Sequence, residues 1–109
     1  MKNQILHRKS LPMEKVKILV VEDESIVSAE IKSRLLRLGH NEISIVATGD
    51  KAIEEVDTGT PDIVLMDIEI NGKIGGVDIA TAIRSRSNIP IVFLATHQEL
   101  ERVSLKHVS

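Results

Sequence analysis

The tightest constraint on the fold is a short apolar run, Ile63-Val64-Leu65-Met66, that follows Pro61-Asp62 and ends in the carboxylate of Asp67. A strand half exposed to water alternates polar with apolar residues, so this unbroken run reads as a strand buried on both faces of a sheet. Asp67 then leaves the sheet at a strand's C-terminal end, the edge where open parallel α/β sheets bind ligands. A lone acid in that place serves equally well as a helix cap or a loop residue. It gains meaning from a second run of the same kind upstream, Ile18-Leu19-Val20-Val21, which passes directly into Glu22-Asp23-Glu24.

The segments between these runs are helical in pattern. From Ser25 to Leu38, Ile26, Val27, Ala29, Ile31, Leu35, Leu36 and Leu38 recur at helical spacing, charged residues fill the other face, and Gly39 supplies a stop. Glu42 to Ala47 reads as a short second strand. Thr48-Gly49-Asp50 then starts a helix that continues through Lys51 to Asp57 and ends near Thr58-Gly59-Thr60-Pro61. After Asp67 the stretch Ile68 to Gly76 reads as a loop whose glycines Gly72, Gly75 and Gly76 suit tight backbone geometry. Val77 to Ile83 is a third helical pattern and Ile91 to Leu94 a fourth strand, with Pro90 tolerated at its beginning. Gln98 to Leu105 has the pattern of a last short helix. Strand and helix thus alternate, which implies a doubly wound parallel sheet with right-handed crossovers and helices on both faces.

Composition narrows the function classes. At 109 residues the chain is one domain at most. A net charge of −2 with charges of both signs interspersed does not suggest a nucleic-acid or membrane surface, and Phe93 is the only aromatic residue, which disfavours base stacking. There is no cysteine, so disulfides, thiolate metal sites and cysteine nucleophiles are excluded. No apolar run approaches the roughly 20 residues of a membrane span, and no signal peptide is evident, so a cytoplasmic protein is expected. Residues 1–14 are polar and basic and are expected to form a disordered leader, with Met13 a second candidate start and residues 15–109 forming the domain.

Strands of a parallel sheet end on one edge, so Glu22, Asp23 and Asp67 can meet there despite their separation in sequence. Converging carboxylates repel one another unless a cation lies among them. A hard divalent ion, Mg²⁺, with oxygen ligands is the expected solution. The other reading makes Glu22 and Glu24 solvated helix-start acids favoured by the helix dipole. Glu24 is assigned to that role, and Asp23 with Asp67 to the site.

Lys17-Ile18-Leu19-Val20-Val21-Glu22-Asp23-Glu24, Asp62-Ile63-Val64-Leu65-Met66-Asp67, Gly76-Val77-Asp78 and Ile89-Pro90-Ile91-Val92-Phe93-Leu94 together resemble the receiver domain of two-component response regulators. The resemblance implies a flavodoxin-like fold of which four strand–helix units are encoded here. It implies that Asp67 accepts a phosphoryl group from a sensor histidine kinase or phosphotransfer protein. Mg²⁺ would be held by Glu22, Asp23, Asp67 and the backbone carbonyl of Glu69. A receiver is a phosphoacceptor rather than an enzyme in the usual sense, although self-phosphorylation from small donors and slow self-dephosphorylation belong to its chemistry.

The chain departs from that family in three places. Glu22 stands where aspartate is commonest, one methylene longer. The slot of the switch hydroxyl falls on Ala95; Thr96 beside it is the candidate hydroxyl, but neighbouring strand residues point to opposite faces, so it reaches a phosphoryl oxygen only where the strand bulges or its register slips, and otherwise reads as a loop or cap residue. A fifth strand, its lysine and a fifth helix are not encoded, and Lys106 is not assigned that lysine's role. A domain incomplete at its C-terminus would leave a sheet edge uncovered and invite dimerisation through it. These departures support an alternative, a degenerate pseudo-receiver that acts as an interaction module without productive phosphorylation. A small phosphohydrolase using Asp67 is disfavoured, because Glu69 occupies the position of its second aspartate. His7, His40, His97 and His107 lack metal-ligand spacing and read as surface residues, His97 being the one placed to tune phosphoryl hydrolysis. The downstream partner is not legible, and neither nucleic acid nor membrane is expected as a direct partner.

Overall fold

In the computed structural model, residues 15–70 and 75–94 are described. They form β1 (Lys17–Val21), α1 (Ser25–Arg37), β2 (Glu42–Val46), α2 (Gly49–Gly59), β3 (Ile63–Asp67), α3 (Gly75–Arg84) and β4 (Ile91–Leu94). The expected leader over residues 1–14, Gly72, Ala95, Thr96, His97, the helix expected over 98–105, and Lys106 lie outside the described residues.

All strands pair in parallel, in the order β2-β1-β3-β4. The chain steps outward from β1 to β2, then returns past β1 to β3 and on to β4. Right-handed crossovers made in opposite directions place α1 on one face and α2 with α3 on the other. The reversal opens a crevice between the C-terminal ends of β1 and β3, where α1 and α3 diverge. The opposite end of the same two strands is tied by a reciprocal pair. Lys17 N–H donates to Asp62 Oδ2 at 2.8 Å, and Asp62 N–H donates to the Lys17 carbonyl at 2.8 Å.

The helix ends follow from local chemistry. Gly39 has φ 102°, and the N–H groups of Gly39 and His40 donate to the carbonyls of Leu36 and Leu35, closing α1 with a left-handed glycine cap. Thr48 caps α2 by accepting from the Lys51 N–H at 3.3 Å.

The main core lies between the sheet and α2 with α3. Leu19, Val21, Val64 and Met66 meet Ala52, Val56, Ala80 and Ile83 there, closed at one end by Ile70. β1, at the sheet centre, is buried on both faces from Ile18 to Val21. β3 departs from the expected two-sided burial: Val64 and Met66 are buried, while Ile63 and Leu65 are half-buried. Among the described residues α1 alone lies across that second face. One helix about 10 Å wide does not cover four strands spaced about 4.8 Å apart. An open groove of about 400 Å³ remains, bounded by Val27, Ile31 and Leu35 of α1 and by Leu65 and Leu94 of the sheet. The buried face of α1 is therefore narrower than its sequence pattern suggests, with Ile26 and Leu36 turned outward.

A second difference concerns the glycines after Asp67. Gly75 and Gly76 open α3 instead of lying in the preceding loop. Gly76 is buried, and a side chain on it would collide with the backbone of Asp67 and Ile68. Close packing, and not turn geometry, is what requires glycine there.

Candidate functional site

Two neighbouring strand ends build the site. The β1–β3 register sets Val21 opposite Met66, so the residues that follow them, Glu22 and Asp67, emerge side by side. Glu22 extends the pairing with β2, its N–H donating to the Val46 carbonyl at 3.0 Å. Asp67 is the last residue of β3 and lies opposite Leu94 of β4, whose carbonyl accepts from the Ile68 N–H at 3.3 Å. One carboxylate oxygen each from Glu22, Asp23 and Asp67 lies within 4.8 Å of the other two. The three acids expected to converge do so.

Glu24 stands apart from this cluster. It occupies the N-cap position of α1, is exposed, and makes no side-chain cap bond. Its N–H, however, donates to Glu22 Oε2 at 3.1 Å and helps hold that carboxylate in place. Across the crevice the Glu69 N–H donates to Asp67 Oδ1 at 3.3 Å, so the backbone beyond β3 orients the Asp67 carboxylate.

The electrostatics of the cluster are unfavourable by themselves. Glu22 is 4% exposed. Burial pushes its carboxyl from the ordinary 4.5 up to about 7; the Glu24 N–H pulls the other way, and the Asp67 and Asp23 carboxylates add to the rise. The Glu22 carboxyl also shares a hydrogen bond with Asp67. A divalent cation with oxygen ligands fits this donor set, since it removes the repulsion and replaces lost solvation. The extra methylene of Glu22 does not withdraw its carboxylate from the cluster.

The family model of the response regulator receiver domain matches residues 18–106. The chain belongs to this family. Among curated relatives, the sensory transduction protein BceR of Halalkalibacterium halodurans is 36% identical over 80 residues, covering 73% of this chain and 34% of that protein. The sensory transduction protein RegX3 of Mycobacterium bovis is 34% identical over 87 residues, covering 79% of this chain and 37% of that protein. The receiver thus spans only about a third of the length of these two relatives. Among solved structures, the N-terminal domain of a response regulator/sensory box/GGDEF three-domain protein from Carboxydothermus hydrogenoformans superposes with a TM-score of 0.69 at 42% identity, covering 76% of this chain and 66% of that chain. The doubly wound, flavodoxin-like receiver fold expected from the sequence is therefore the fold observed. Receivers are phosphoacceptor regulatory domains rather than enzymes in the usual sense, and they generally bind Mg²⁺ at an acidic pocket. No helix among the described residues of this receiver is long and apolar enough to cross a membrane.

Two features of the receiver site were not read from the sequence. The high proton affinity of Glu22 depends on burial by neighbouring strands, which no local pattern encodes. The contact of Gly76 with the Asp67 backbone had a faint signal: a glycine at the edge of a helical pattern, where a better helix former would serve unless space forbids it.

Proposed function

We propose that this receiver accepts a phosphoryl group on Asp67 from the phosphohistidine of a sensor histidine kinase or phosphotransfer protein. Glu22, Asp23, Asp67 and the Glu69 carbonyl are assigned as the Mg²⁺ ligands. The observation that carries this reading is the meeting of three carboxylates within 4.8 Å at the C-terminal edge of the sheet, one of them buried.

Asp67 acts as the nucleophile: one carboxylate oxygen forms a bond to phosphorus as the phosphorus–nitrogen bond breaks and the imidazole leaves. The Glu69 N–H fixes the other oxygen through the bond to Asp67 Oδ1, so the attacking oxygen is presented in one direction. Glu22 and Asp23 hold their carboxylates beside the acceptor and define where positive charge is tolerated. Mg²⁺, when bound, neutralises the negative charge that builds up on the transferring phosphoryl oxygens.

The pseudo-receiver remains the second reading, because Ala95 occupies the slot in which the family carries a hydroxyl. Intact mass after incubation with acetyl phosphate and Mg²⁺ distinguishes the two. A single phosphoryl adduct that is absent in Asp67→Asn and in EDTA is the expected result. A folded parent protein that gains no adduct would overturn the phosphoacceptor reading and leave the interaction module.

A further inference from the structure

Gly76 serves neither a turn nor a left-handed backbone. Its backbone is helical, and Gly39 is the only described glycine with positive φ. Within a helix only proline is a poorer choice than glycine, so a physical reason for its presence must lie in space. A Cβ on Gly76 would overlap the carbonyl oxygens of both Asp67 and Ile68 and lie 2.8 Å from the Ile68 carbonyl carbon. Those are backbone atoms and cannot swing aside as the end of a side chain can. The preceding glycine is different: a Cβ on Gly75 would meet the Ile70 carbonyl oxygen at 3.4 Å and Ile70 Cβ at 3.5 Å, which is ordinary contact. The first turn of α3 therefore bears, through Gly76, on the two peptides that leave Asp67. The second of these peptides also carries the Glu69 N–H, which holds Asp67 Oδ1.

We propose that Gly76 is a positioning residue of the acidic site. Its missing side chain lets α3 seat against the Asp67 and Ile68 carbonyls, and this seating sets the direction of the Asp67 carboxylate and the Glu69 carbonyl toward the cation. The inference rests on the reading of Glu22, Asp23, Asp67 and Glu69 as a Mg²⁺ site.

Three alanine variants separate positioning from simple destabilisation. Gly76→Ala and Gly75→Ala add the same methyl group to the same helical turn and differ in what it meets. Gly49→Ala places its Cβ 2.8 Å from Ile79 Cγ1, so it disturbs α2–α3 packing while the atoms it meets belong to Ile79 and to none of the acids. Mg²⁺ affinity is measured by titration calorimetry, and stability by urea unfolding followed in the far ultraviolet. Gly76→Ala is expected to weaken Mg²⁺ binding by about 10-fold or more, as loss of a residue that orients metal ligands does, with Gly75→Ala and Gly49→Ala staying within about twofold of the parent. A folded Gly76→Ala that binds Mg²⁺ as the parent does overturns the proposal while the metal site stands. If the parent binds no Mg²⁺, the metal-site reading falls, and the inference with it. If Gly76→Ala does not fold, the ¹⁵N-labelled parent decides. The Gly76 amide resonance should then shift on Mg²⁺ titration together with that of Glu69 while that of Gly49 stays in place, and an unmoved Gly76 resonance at saturation overturns the proposal.

Discussion

Replacing Glu22 with glutamine should stabilise the metal-free protein at neutral and alkaline pH. The Glu22 carboxyl is held at about 7 in the fold against 4.5 for an unhindered glutamate, chiefly by burial and then by the Asp67 and Asp23 charges, against the opposing pull of the Glu24 N–H. The folded state therefore binds this proton more tightly than the unfolded chain does. Its contribution is fully present below about pH 4.5 and is lost as the pH rises through about 7. At about 1.4 kcal/mol for each tenfold in proton affinity, the rise corresponds to a loss on the order of 3 kcal/mol by pH 8. Glutamine keeps the shape, can still accept from the Glu24 N–H, and carries no charge to bury. In EDTA at pH 8, Glu22→Gln should thus exceed the parent by up to about 3 kcal/mol, or roughly 10–20 °C in Tm for a domain of this size. Near pH 4.5 the two proteins should unfold together, because the parent's carboxyl is then protonated. Excess Mg²⁺ should reverse the order at pH 8, since the cation stabilises the intact acid cluster more than the variant. Far-ultraviolet circular dichroism suits the assay, the chain having neither Trp nor Tyr. If the variant is no more stable than the parent in EDTA at pH 8, the argument from a buried, repelled carboxylate is wrong. An advantage of the same size at pH 4.5 would assign the effect to packing instead of charge.

Two further predictions concern the scaffold. Thr48→Ala removes the oxygen that accepts from the Lys51 N–H, so the urea midpoint should fall by the equivalent of about 1 kcal/mol; no change would mean that the cap bond at 3.3 Å contributes nothing. Met66 is fully buried and Val92 is 44% exposed on β4. Met66→Ala should cost about 2–5 kcal/mol and Val92→Ser less than about 0.5 kcal/mol, and equal losses in thermal unfolding would contradict the placement of the core between the sheet and α2 with α3.

Much of this architecture was legible because it rests on local periodicity. Apolar runs of four residues, amphipathic spacing between them, and stops at Gly39 and near Thr60-Pro61 define the elements before any contact is known. Where the sequence misled, the missing information was non-local. The run Ile63 to Met66 looks buried on both faces, yet how much of its second face is covered depends on the single helix α1 lying there. Ile26 and Leu36 belong to an apolar pattern, yet only the row Val27, Ile31 and Leu35 reaches the sheet side. Gly76 reads as a loop glycine because its reason, the backbone of a strand nine positions earlier, is invisible in its neighbours.

The sequence by itself determined that acids stand at the ends of two apolar strands and that the alternation of strand and helix brings those ends to one edge. Tertiary structure decided which acids meet. The pairing of Val21 with Met66 brings Glu22, Asp23 and Asp67 together, while Glu24, at the N-cap of α1, is not part of that cluster. It also decided the protonation of Glu22, because the cost of a charge depends on how much water the surrounding strands exclude and on which other charges they bring near. Local sequence specifies the direction of a chain over a few residues. Distances between carboxylates more than forty residues apart are set by strand register and helix packing, and the chemistry of this edge depends on those distances.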